Sequence, residues 1–80
     1  MKTEIEIKES INGCREKIQE SHNNQEKFQS VMTPELIINY EKTRIYIQGW
    51  IDGLLNIDKT EKAVDAYKSG WANAKKWANN

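Results

Sequence analysis

Two side chains in this sequence carry the reactivity for nucleophilic or acid–base catalysis on their own, the single cysteine Cys14 and the single histidine His22. An imidazole that activates a thiol must lie within hydrogen-bond reach of it. On one continuous helix, eight residues of separation is a rise of about 12 Å, which is too far. There is no second histidine and no CxxC pair, so no ligands stand at the spacing a metal site uses. All four glycines, Gly13, Gly49, Gly53 and Gly70, are isolated, and none belongs to a loop that would cradle a phosphate. The residues therefore point to a protein that is not an enzyme and takes neither cofactor nor metal. Cys14 reads as a small hydrophobe on a helix seam, and His22 as a solvated or seam-edge side chain.

One further constellation has ligand-binding chemistry. In AYKSGWANAKKWANN (66–80) aromatic rings alternate with lysines, so Lys68, Lys75, Lys76 and Trp77 could neutralise phosphates and stack on bases. Two properties favour a structural role instead. The formal net charge is zero, whereas nucleic-acid binders carry a basic excess. The rings also fall on the apolar side of a helix whose last turn holds Lys75 and Lys76, where cations complement the dipole. Nucleic-acid or nucleotide binding through these four residues is the alternative reading.

The elements that would position these groups follow from caps and periodicity. Eighty residues make one domain with a thin core, which favours oligomerisation as a source of stability. A lone cysteine forms no internal disulfide, so a reducing cytoplasm is expected. The first ten residues, MKTEIEIKES, lack the apolar core of a secretion signal, and no stretch is long and apolar enough for a membrane span. Thr33, Pro34 and Glu35 form a strong helix start. Asp58 and Glu61, three apart, suggest another. The expected fold is all-α: an antiparallel hairpin of helices over about 34–55 and 59–78, preceded by a longer helix over about 4–30, in a bundle-like and oligomeric arrangement. Ile7, Ile11, Cys14 and Ile18 give the first helix a narrow apolar seam. Residues 19–27, QESHNNQEK, contain nothing apolar, so the helix either breaks there or continues as a solvated arm.

The second helix raises the functional question. Glycine inside a helix costs about 1 kcal/mol relative to alanine, yet Gly49 and Gly53 stand four apart within it. Its main stripe, Leu36, Tyr40, Ile47, Trp50, Ile51, Leu54 and Leu55, would fill a groove along Ala66, Gly70, Ala74 and Ala78 of the third helix. On nearly the opposite side lie Ile38, Ile45, Gly49 and Gly53, flanked by Tyr46 and interrupted by Lys42. A helix with two apolar faces is either central or at an interface. The expected function is a small protein-binding module, an adaptor or inhibitor of the kind found among accessory proteins of bacteria and phages. It would self-associate as a homodimer through Ile38, Lys42, Ile45, Tyr46, Gly49 and Gly53, and Gly49→Leu should abolish assembly while leaving the helices intact. The repeat of Tyr46, Gly49 and Trp50 as Tyr67, Gly70 and Trp71 is expected to reflect packing, with Tyr46 near Gly70 and Tyr67 near Gly49.

Overall fold

The computed structural model describes all 80 residues and has three α-helices, α1, Glu4–Phe28; α2, Pro34–Leu54; and α3, Asp65–Ala78, with a short 3-10 turn at Gln29–Val31 between the first two. No helix is long and apolar enough to cross a membrane. Helix α1 starts at a capping box, in which Glu6 N donates to Thr3 Oγ1 (3.2 Å) and Thr3 N donates to the Glu6 carboxylate (3.2 Å). It runs unbroken through Gly13 and through the polar stretch 19–27, so that stretch is helix. Two seam positions there remain polar. Ser21 accepts a hydrogen bond from Arg44 of α2 (3.0 Å), while the buried Gln25 Oε1 has no partner.

Helix α2 begins as the sequence predicts, with Thr33 Oγ1 accepting from Leu36 N (3.2 Å) and Pro34 in the first turn. It runs antiparallel to α1, as the Ser21–Arg44 and Ser10–Trp50 hydrogen bonds require. It ends in a Schellman turn: Ile57 N donates to Asp52 O (2.9 Å) and Asn56 takes the left-handed conformation at φ 59°.

The third helix departs from expectation in start and in direction. Asp58 does not cap a helix; its carboxylate accepts from Thr60 N (2.9 Å) and Thr60 Oγ1 (2.6 Å) within a local turn. Residues 55–64 run back along the molecule, and α3 begins only at Asp65. Contacts between α2 and α3 then advance in the same order along both helices. Ile45 lies by Val64 and Ala66, Gly49 by Tyr67, Gly53 by Ala74, and Asn56 by Lys75. The two helices therefore run in the same direction, and the expected antiparallel hairpin is replaced by a crossover.

The core is thin. Nine of 80 residues are buried, and the molecule measures 43 × 27 × 17 Å. Ile11, Ile51, Leu54 and Ala74 form its centre, with Ile7, Cys14, Ile18, Ile47, Trp50 and Trp77 packed around them. The apolar stripe on α2 thus turns mainly to α1 and to the end of α3, with Leu36 and Leu55 left exposed.

Candidate functional site

The glycines show how the faces of α2 are used. A Cβ on Gly49 would overlap the carbonyl oxygen of Tyr67, and one on Gly70 would overlap the carbonyl oxygen of Tyr46. A Cβ on Gly53 would come within 2.8 Å of Trp71 O and 3.1 Å of Ala74 Cβ. Each copy of the Tyr–x–x–Gly–Trp repeat supplies one carbonyl and one glycine, and the two pack reciprocally, backbone against backbone. Such close approach allows Cα–H···O contacts that any side chain would prevent. The expected residue pairs are therefore met, but with the helices parallel: a helical carbonyl projects one turn forward, so Tyr46 O stands at the level of Trp50.

Gly49 and Gly53, expected at an interface with another molecule, are buried against α3 of the same chain. Tyr46 is half-buried, and its hydroxyl accepts from Asn73 of α3 (2.9 Å). Gly49→Leu would drive α2 and α3 apart, so it is no selective probe of partner binding. Ile38, Lys42 and Ile45 have a different position. Because α3 begins at the level of Ile45, it covers only the C-terminal half of this face. Ile38 is 48% exposed, and Val64, at the cap of α3, is 58% exposed. With Glu41, Lys42, Ile45, Asp65 and Ala66 they line one cleft. Val64, Glu41 and Asp65 were not legible as members of this cleft, because their contribution depends on where α3 begins and which way it runs.

Behind the glycines lies a buried carboxylate that the sequence reading did not single out. Asp52 is 5% exposed. It accepts from Gln48 Nε2 (3.0 Å) and from the hydroxyl of Tyr67. Burial, together with the hydrogen bond and negative charge of Asp52, pushes the Tyr67 hydroxyl up to about 12. A buried acid without such donors would be strongly destabilising. The available signal was an aspartate set between Ile51 and Gly53 on an otherwise apolar part of α2.

The remaining candidates are dispersed. Cys14 is half-buried in a groove with Ser10, Lys17, Thr43 and Trp50, and burial pushes its thiol up. His22 is exposed on a different cleft, beside Glu41, Arg44 and Gln48. Lys68 and Lys76 are exposed. Lys75 is held by Asn56 and lies 5.2 Å from the centre of the Trp71 ring. Trp77, a candidate to stack on bases, instead packs on Trp50 with ring centres 5.8 Å apart, and Lys2 covers it at 5.3 Å. The N-terminus further ties this end down, since Lys2 N donates to Ala78 O (2.8 Å). The cleft of Ile38, Lys42 and Ile45 is thus the one place where several sequence-derived interface residues stand together away from α3, with Ile38 and Lys42 exposed and Ile45 half-buried. Comparison of the chain with protein-family models, curated proteins and solved structures gives no match.

Proposed function

We propose that this chain is a non-catalytic protein-binding module, an adaptor or inhibitor, that docks through the cleft of Ile38, Lys42, Ile45 and Val64. The observation that carries the reading is an apolar stripe on α2 that continues beyond the point where α3 stops covering it. Exposed aliphatic side chains clustered between charged ones are the usual composition of a docking patch. Here Ile38 and Val64 form the apolar centre, while Glu41, Lys42 and Asp65 form the polar rim.

The test compares proteins captured by the wild-type chain with those captured by an Ile38→Lys, Val64→Asp double variant. Both positions are solvent-exposed, so circular dichroism of the variant should match the wild type. A partner that co-purifies stoichiometrically with the wild type and is lost from the double variant is the expected outcome. Equal retention by both would refute this surface.

A further inference from the structure

We propose that the cleft is occupied by a second copy of this chain, the two cleft faces meeting about a two-fold axis. The proposal rests on the reading of this face as a docking surface and names its occupant.

The first argument is exposure: Ile38 is 48% and Val64 58% exposed, aliphatic surface that a second cleft face would cover. The second argument is charge. In a two-fold contact each patch meets itself, so a patch of one sign repels its copy. This cleft carries Lys42 beside Glu41 and Asp65, and none of the three has an ion-pair partner within the chain, whose single ion pair joins Lys8 to Glu4. A second cleft brings both signs to both sides. The formal net charge of zero adds no long-range repulsion between copies. The third argument is continuity: Ile45 and Ile38 extend the same face that Gly49 and Gly53 already bury against α3, so a copy seated there prolongs an existing packed surface.

The experiment is sedimentation equilibrium on the full chain over a concentration series reaching the millimolar range, with Ile38→Lys and Lys42→Glu alongside. The wild type should approach twice the chain mass. Ile38→Lys should raise the dissociation constant by about tenfold or more. Lys42→Glu, which makes the cleft wholly acidic, should also weaken association, and added salt should reverse part of that loss. Should Ile38→Lys fail to fold, the solvent-exposed Lys42→Glu decides alone. A wild type that stays monomeric throughout overturns the proposal, as does a dimer that neither substitution weakens. A monomer that still loses a different protein on Ile38→Lys removes the second copy and leaves the docking face standing.

Discussion

At the scale of single residues, the four glycines separate into two kinds. Gly49 and Gly70 are each pressed against a carbonyl of the opposite helix, while a Cβ on Gly13 would meet nothing within 4 Å. Gly13→Ala should therefore stabilise the protein by about 0.5–1 kcal/mol, because alanine costs less entropy in a helix. Gly49→Ala and Gly70→Ala should each destabilise it by about 2 kcal/mol or more, since backbone rather than a flexible side chain would have to move. Urea denaturation of the three variants checks both signs. Tyr67→Phe removes one of the two donors to buried Asp52 and should cost about 1–3 kcal/mol. The same pair gives an alkaline limit. The folded Tyr67 hydroxyl titrates near 12 against an ordinary value of 10.0, so the folded state holds this proton more tightly. The contribution is full below pH 10 and disappears as pH rises towards 12. Denaturation midpoints should fall across that window in the wild type and fall less in Tyr67→Phe. The need for close packing at Gly49 was readable from the sequence. What it packed against was not, because a glycine marks an approach without naming the approaching group.

At the scale of elements, caps and periodicity decided most of the outcome. Thr33 and Pro34 set the start of α2, and the apolar seam on α1 meets α2 as its spacing requires. Thr3 and Glu6 form a capping box that the S/T-x-x-E pattern would have revealed. Backbone and side-chain hydrogen bonds from Thr3 hold the Glu6 carboxyl below its ordinary value of 4.5. Its support for the helix start is thus present above that value and is lost as pH falls through the lower, folded one. Thr3→Ala should cost about 1 kcal/mol. Amide exchange at residues 4–7 should quicken in that variant, and in the wild type at acid pH, beyond the intrinsic pH dependence of exchange. Asp58 followed by Glu61 resembles a cap in sequence, which places the expected start of α3 near residue 59 rather than at Asp65. In the fold, the Asp58 carboxylate turns to Thr60 instead, and the chain runs back along α2 before helix resumes.

At the scale of the whole molecule, a core of nine buried residues leaves little margin of stability. If two copies share the cleft, mass action makes stability depend on protein concentration. The thermal midpoint should then rise on dilution series read from low to high concentration in the wild type, and stay constant in Ile38→Lys. The amino-acid sequence by itself determined that the chain is helical, where α2 lies, that α2 has two apolar faces, and that something approaches its glycines closely. Those properties follow from local hydrogen bonding, side-chain period and the missing Cβ. Only the tertiary structure decided that α3 runs parallel to α2, that it rather than another molecule covers Gly49 and Gly53, and that Ile38 and Val64 are left in the open beside a half-buried Ile45. The direction of a helix after a ten-residue connection depends on which packing buries the most surface, and small residues every fourth position fit a parallel neighbour as well as an antiparallel one.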